Sequence, residues 1–246
     1  MKISFVIPAY NEQHYIGACV ESILQACRTH DFEIIVVNNA STDQTRSTAL
    51  KYPNVRVIDE PVKGTNQARN TGFAHATGDL IANIDADNRI HHGWLKKTLA
   101  EFAGNPELVA LSGPYVFYDL SDNWHWLVRT FYRIAYPIYV LNNKFLHRGG
   151  AVMGGNVVIR SGALKQVGGY NTSLRFYGDD TDTAMRLNKI GLVKFDYRFT
   201  IFSSGRRLQK QGAAAALFLY AMNHLWTAVF KRPFTPAYEE VRVSAK

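Results

Sequence analysis

Two short acidic constellations hold the side chains best suited to chemistry. Asp85-Ala86-Asp87 directly follows the apolar run Leu80–Ile84. In extended chain the side chains alternate, so residues two apart share a face. Two carboxylates so placed suit a hard divalent cation, which can also hold a substrate's phosphates; the same residues also fit a plain solvated turn. Further on, Gly178-Asp179-Asp180-Thr181-Asp182 begins a helical pattern over Thr183–Ile190 that ends at Gly191. Acids at a helix start are favoured by capping and by the helix dipole, but three acids in four residues exceed what one cap needs. Crowding raises a carboxyl pKa and the dipole lowers it. Under either influence, one of these groups can accept a proton from a hydroxyl nucleophile.

The elements that must position these acids are legible upstream. Apolar runs alternate with helical patterns, the signature of β-α-β units. Ile3–Ile7 reads as a buried strand, and Asn11 as the cap of a helix whose apolar face includes Ile16, Cys19, Val20, Ile23 and Cys27. Ile34–Val37, Val55–Ile58 and Leu80–Ile84 read as strands, with helices starting at Ser41 and spanning Thr65–Ala76. Strand-like apolarity resumes at Ala151–Ile159. Three strands end in polar clusters: Pro8 to Asn11, Asn38 to Asp43, and Asp85 to Asn88. Ligands of an open α/β sheet bind at the carboxyl ends of its strands. Neither a Gly-x-Gly-x-x-Gly turn nor a P-loop follows the first strand, which argues against a dinucleotide dehydrogenase or a P-loop NTPase.

Taken in order, Val6-Ile7-Pro8-Ala9-Tyr10-Asn11-Glu12, Val37 to Asp43, Lys63-Gly64-x4-Arg69-Asn70-x-Gly72, Asp85-Ala86-Asp87 and Gly178-Asp179-Asp180-x-Asp182 resemble the family 2 glycosyltransferases. Those are inverting enzymes of the GT-A fold that use nucleotide-diphosphate sugars. The resemblance covers about residues 3–205. It implies an α/β fold with a Rossmann-like mixed sheet flanked by helices. The catalytic domain spans 1–205, with a nucleotide-sugar half to about 110 and an acceptor half after it, and 206–246 form a basic helical tail. Carried over residue by residue, Pro8, Tyr10 and Glu12 line the nucleotide pocket, and Asn39 and Asp43 fall near base and ribose. Lys63 and Arg69 border the nucleotide and diphosphate. Asp85 contacts the ribose or a metal-bound water, Asp87 ligates a Mg or Mn ion, and Asp180 is the catalytic base, with Asp179 where Glu is usual. Arg206 and Arg207, beside Ser203-Ser204-Gly205, read either as a cation pair closing over the diphosphate or as a solvated basic turn. The chain departs from the pattern in three ways. Asn38-Asn39 stand where Asp-Asp is common, which leaves UDP, dTDP and GDP donors open. No His occurs in Thr200–Arg207, and His224 lies in a later apolar stretch. The processive Gln-x-x-Arg-Trp signature is missing, which favours addition of a single sugar.

The chain has 246 residues and a net charge of +8. All of that excess lies in residues 121–150 (net +3) and 205–246 (net +5). Both segments are aromatic or apolar: ten aromatics occur between Tyr115 and Leu146, and Ala213–Phe230 has only Asn223, His224 and Thr227 as polar residues. This composition favours a helix lying on an anionic membrane surface, with a core helix packed on the sheet as the alternative. The first reading favours a lipid-linked acceptor, although aromatics also stack on a soluble glycan. The N-terminus lacks a signal-peptide pattern, and Cys19 and Cys27 are about 12 Å apart along one helix, too far to bridge. The expected location is cytoplasmic, at the inner face of the cell membrane. Two other classes compete. A nucleotidyltransferase also pairs acids on an α/β sheet, and a nucleic-acid binder would be basic; the absence of any basic excess in residues 1–120 and the lack of any nucleic-acid motif argue against the latter.

Overall fold

A computed structural model describes residues 1–121, 152–174 and 178–212, with scattered positions at 124–133 and 219–235. The expected segments 122–143 and 213–230, including His224, lie largely outside the described residues.

The chain starts with β1 (Ile3–Ala9), whose side chains are nearly all buried, as a central parallel strand covered on both faces requires. Helix α1 (Ile16–Ala26) buries Ile16, Cys19, Val20 and Ile23 along one stripe. Strand β2 (Phe32–Asn38), helix α2 (Thr45–Ala49), strand β3 (Val55–Asp59), helix α3 (Thr65–His75) and strand β4 (Leu80–Ile84) follow. The next stretch, for which no element is expected from the sequence, forms α4 (His92–Gly104), β5 (Leu108–Ser112) and β6 (Tyr115–Phe117). The last described elements are β7 (Asn156–Arg160), α5 (Ser161–Gln166), α6 (Asp179–Leu187), β8 (Leu192–Phe195), β9 (Ile201–Ser203) and α7 (Arg206–Gln211).

Seven strands form one sheet in the order β3-β2-β1-β4-β7-β5-β8, and β6 pairs with β9 in a small second sheet. Strand β7 runs antiparallel to β4 and β5, while every other pair in the large sheet is parallel, so the expected mixed sheet is present. Two features of this topology build the site. The chain winds from β1 through β2 to β3 on one side, then returns to place β4 on the other, which opens a crevice at the carboxyl ends of β1 and β4. Because β7 is antiparallel, its first residue, Asn156, sits opposite Ile84, the last residue of β4. The Gly154-Gly155 turn is thereby brought to the same edge.

A buried hub supports that edge. Trp94 packs between Phe5 and Phe199, at centroid distances of 6.0 and 5.0 Å, and its indole N–H donates to Asn156 Oδ1 at 2.9 Å. Asn156 then donates to the Gly113 and Phe199 carbonyls at 3.0 and 2.8 Å. Every polar atom named here has a partner, so the start of β7 is rigidly specified.

Several local expectations are corrected. Asn11 does not cap α1: its backbone is left-handed (φ 52°) and its Oδ1 accepts the Thr42 N–H at 2.8 Å, while Glu12 C=O starts the helix by accepting from Tyr15 and Ile16. Ser41 does not begin α2, since its hydroxyl accepts the Asn11 N–H. Helix α6 starts at Asp179, four residues before Thr183, so the acids lie in its first turn rather than ahead of it. Cys19 and Cys27 are buried and unbridged. Among the described residues no helix is long and apolar enough to cross a membrane. Within the apolar stretch 213–230, Asn223 and Thr227 are each only 2% exposed, and Asn223 exchanges hydrogen bonds with Thr235.

Candidate active site

Helix α6 and the Asp85-Ala86-Asp87 segment after β4 meet on one buried cation. Arg69 projects from α3, whose buried residues include Asn66, Arg69 and Gly72 rather than a purely apolar stripe. Its guanidinium is almost wholly enclosed. Nη1 lies 3.1 Å from Asp179 Oδ2 and 3.2 Å from Asp180 Oδ1, and Nη2 lies 3.7 Å from Asp85 Oδ1. Three carboxylates surround one cation, and their pull holds Arg69 firmly charged against the cost of its burial.

The acid pair is asymmetric. The Asp179 side chain keeps 12% of its surface and Asp180 keeps 36%, so Asp180 is the member open to the crevice. Asp180 Oδ2 also accepts the Gly154 N–H at 2.9 Å. Burial, reinforced by the neighbouring Asp180 charge, pushes the Asp179 carboxyl up to about 8 despite Arg69. Burial also raises Asp180, with Arg69 and the Gly154 N–H pulling the other way. Asp179 is thus the more enclosed acid and Asp180 the more exposed, and the two raised carboxyls titrate as a coupled pair. A raised carboxyl pKa makes a better proton acceptor.

Glycine lets the backbone approach this closely. A Cβ on Gly154 would fall 2.3 Å from both Arg69 Nη2 and Asp180 Oδ1, and one on Gly155 would fall 2.2 Å from Asp85 Oδ2. Any side chain at either position collides with the acids.

A second cation faces the second half of the D-x-D. Alternation of an extended chain does not persist past β4, because the Asn88 N–H donates to Asp85 C=O at 2.9 Å and closes a turn. Asp85 accordingly engages Arg69, while Asp87 Oδ2 lies 3.0 Å from Arg206 Nη2. The same nitrogen lies 2.6 Å from Glu12 Oε1, and the guanidinium packs over the Tyr15 ring at 4.4 Å. Arg206 is thus not a solvated basic residue; Arg207 is half-buried in the same turn. Glu12 is itself positioned from behind: its N–H donates to Thr45 Oγ1 at 2.7 Å, and that hydroxyl donates to Asp43 Oδ1.

The remaining expected residues divide by position. Pro8 lies in β1, and Tyr10 follows it with the Lys63 ammonium 3.7 Å over its ring. Asn39 donates to the Glu60 and Val62 carbonyls at 3.0 and 2.8 Å and accepts from the Gly64 N–H at 2.8 Å, so its amide clamps the loop that carries Lys63. Asp43 accepts from Thr45 and from the Gln13 N–H, and so ties α2 to the loop after β1. Some supporting residues carry no sequence signal at all. Asp119 accepts from the Ser204 hydroxyl and the Gly205 N–H and so anchors the turn before Arg206, and Tyr170 accepts from Asn83 beneath Arg69. The strand expected within Ala151–Ile159 begins only at Asn156, and the Gly154-Gly155 pair inside that stretch forms the turn before it.

Among the described residues no three metal-capable side chains cluster. The donor chemistry still fits a divalent cation completed by substrate phosphates: hard carboxylate oxygens at Asp85 and Asp87, with a cation already drawn to Asp87.

A family model described as Glycosyl transferase family 2 matches residues 4–168. The chain is 34% identical over 118 residues to UDP-Glc:alpha-D-GlcNAc-diphosphoundecaprenol beta-1,3-glucosyltransferase WfgD of Escherichia coli, a match covering 44% of this chain and 46% of that protein. The fold matches mannosyltransferase PcManGT of Pyrobaculum calidifontis in complex with GDP-Man and Mn2+, with TM-score 0.71 and 21% identity over 93% of this chain and 63% of that one. It also matches TarS of S. aureus in complex with UDP-GlcNAc, with TM-score 0.63 and 18% identity over 83% of this chain and 58% of that one. The matches to three further curated relatives take in 36 to 58% of their lengths, so the chain spans only part of the proteins it resembles. The family model takes in more than half of the chain, so the chain belongs to glycosyl transferase family 2, and its structural matches show the GT-A fold.

Proposed function

We propose that this protein transfers a single sugar, with inversion, from a nucleotide-diphosphate sugar to a hydroxyl acceptor, with Asp180 as the base. The observation that carries the reading is the shared counter-ion. Arg69 bridges Asp85 to Asp180 across the crevice, which supports a donor diphosphate and an accepting carboxylate working on the same bond.

In this account the acceptor oxygen attacks the anomeric carbon from the face opposite the diphosphate. The new C–O bond forms as the anomeric C–O–P linkage breaks, and its electron pair leaves on the diphosphate. The hydroxyl proton passes to an oxygen of Asp180, which Gly154 and Arg69 hold in place. Pro8, Tyr10, Glu12, Asn39, Asp43 and Lys63 surround the nucleotide from β1 and from the loops after β1, β2 and β3. Asp87, with Asp85, would hold Mg or Mn, which supplies Lewis-acid stabilisation of the leaving diphosphate when bound. Arg206 and Arg207 add positive charge at the same side. The Mn2+ named with PcManGT supports a divalent ion. The different nucleotides named with PcManGT and TarS leave the base open. WfgD acts on a diphosphoundecaprenol-linked sugar, which together with the basic, aromatic segments 121–150 and 205–246 supports a membrane-proximal, lipid-linked acceptor at the inner face of the cell membrane. We draw the boundary between catalytic domain and tail at residue 205, where the basic segment 205–246 begins.

The test is a panel of UDP-, GDP- and dTDP-sugars with Mn2+ or Mg2+, scored by protection against unfolding. A ligand at 100 times its Kd stabilises by about 2.7 kcal/mol, so one donor class should raise the melting temperature by several degrees. No protection from any member contradicts the reading.

A further inference from the structure

Arg206 reaches its carboxylates from far away in sequence and lies on the group expected to hold the metal ion. It opens α7, 194 residues after Glu12, yet one nitrogen contacts both Glu12 Oε1 and Asp87 Oδ2. Glu12 is 2% exposed, so this is an enclosed contact rather than a surface pair. Two carboxylates converge on this one nitrogen, Glu12 Oε1 at 2.6 Å and Asp87 Oδ2 at 3.0 Å. Such a concentration of negative charge needs a cation close by.

The element that delivers this cation is a single short helix. Helix α7 is six residues long and buries only Leu208. Its leading turn is tied by Asp119, an exposed residue that accepts from Ser204, Gly205 and Gln209. A divalent ion on Asp87 and a guanidinium on the same oxygen repel each other, so one must yield. The family reading explains a cation at the diphosphate but not one seated on Asp87.

We propose that Arg206 is a tethered stand-in for the divalent cation, filling the position over Asp87 and Glu12 until metal arrives and then being displaced together with the first turn of α7. The proposal rests on the glycosyltransferase reading for the identity of the metal site. It makes the metal's apparent affinity weaker than its intrinsic affinity by the fraction of molecules in which Arg206 has vacated Asp87.

The experiment is a titration with Mn2+ alone, without nucleotide, followed by loss of the free-ion electron paramagnetic resonance signal. Arg206→Gln should bind Mn2+ about tenfold more tightly than the unaltered protein if Arg206 occupies the position nine-tenths of the time. Arg206→Lys should fall between the two. Unchanged, weaker or undetectable Mn2+ binding by Arg206→Gln overturns the proposal. Hydrogen exchange on the unaltered protein gives a second readout that does not depend on the variant folding. Amides of Gly205–Gln209 should exchange faster when Mn2+ is added, and unchanged exchange at saturating Mn2+ overturns the proposal too. Donor protection is scored separately. A protein protected by a nucleotide sugar but with unaltered Mn2+ affinity in Arg206→Gln loses only the stand-in role. A protein protected by none loses the glycosyltransferase reading.

Discussion

Replacing Arg69 with Met probes the coupling of base and D-x-D strand at its centre. The side chain is 5% exposed and stands 3.1, 3.2 and 3.7 Å from carboxylates of Asp179, Asp180 and Asp85. Methionine fills the apolar stem but removes the only cation contacting Asp179 in these ion pairs. Removing one partner of a buried ionic cluster costs about 3–5 kcal/mol, because the remaining charges are left uncompensated. For a chain of this size that is roughly a 10 °C fall in melting temperature. The cost must also depend on pH. Arg69 lowers the pKa of both acids, so without it both hold protons to higher pH and the uncompensated charge vanishes on acidification. Urea midpoints at pH 5.5 and 8.5 therefore differ: the full loss appears at 8.5 and a smaller one at 5.5. Arg69→Lys retains a charge but not the fork, and should lie between. A loss below about 1 kcal/mol, or an equal loss at both pH values, refutes the electrostatic account and leaves Arg69 as packing.

Two further changes test neighbouring features. Asn39→Asp turns a carboxylate toward the Glu60 and Val62 carbonyls, which now accept at 3.0 and 2.8 Å; losing both donated bonds should cost about 1–3 kcal/mol, read by thermal melting. In Asp179 the folded carboxyl sits at about 8 against 3.8 for the free group, so the native state retains a proton that the unfolded chain releases. Stability from this group is complete below about pH 4 and is lost as pH rises through the folded value. Asp179→Asn removes that dependence, so its melting temperature relative to the unaltered protein should climb between pH 5 and 9; parallel curves would contradict the shift.

Much of the edge that carries the site is legible as local chemistry. The apolar run Leu80–Ile84 ended by acids marks β4 and its crevice end, and the crowded acids after Gly178 mark the start of α6. What is not legible is set by distant partners. Arg69 meets Asp180 across 111 residues, and Arg206 meets Glu12 across 194, and no spacing rule reaches that far. Asn11 and Ser41 look like helix caps because such side chains bond any nearby N–H; here the donors belong to the Asn38–Thr42 loop and to each other. The alternation expected of Asp85 and Asp87 fails because a turn intervenes, which assigns each acid its own arginine. Strand β5 is buried throughout, yet its sheet neighbour β7 is antiparallel, and no local pattern announces that reversal.

The central claim, that Asp180 takes the acceptor's proton, is tested most directly by single-turnover sugar transfer in Asp180→Asn, with donor protection measured on the same preparation. Asn keeps the shape of the side chain and can still accept the Gly154 N–H, but it cannot take a proton at neutral pH. Loss of a general base costs about 10²–10⁴ in rate, so transfer should fall by that factor while a nucleotide sugar still protects the protein against unfolding. Transfer at near the unaltered rate, with the donor bound, would contradict the account.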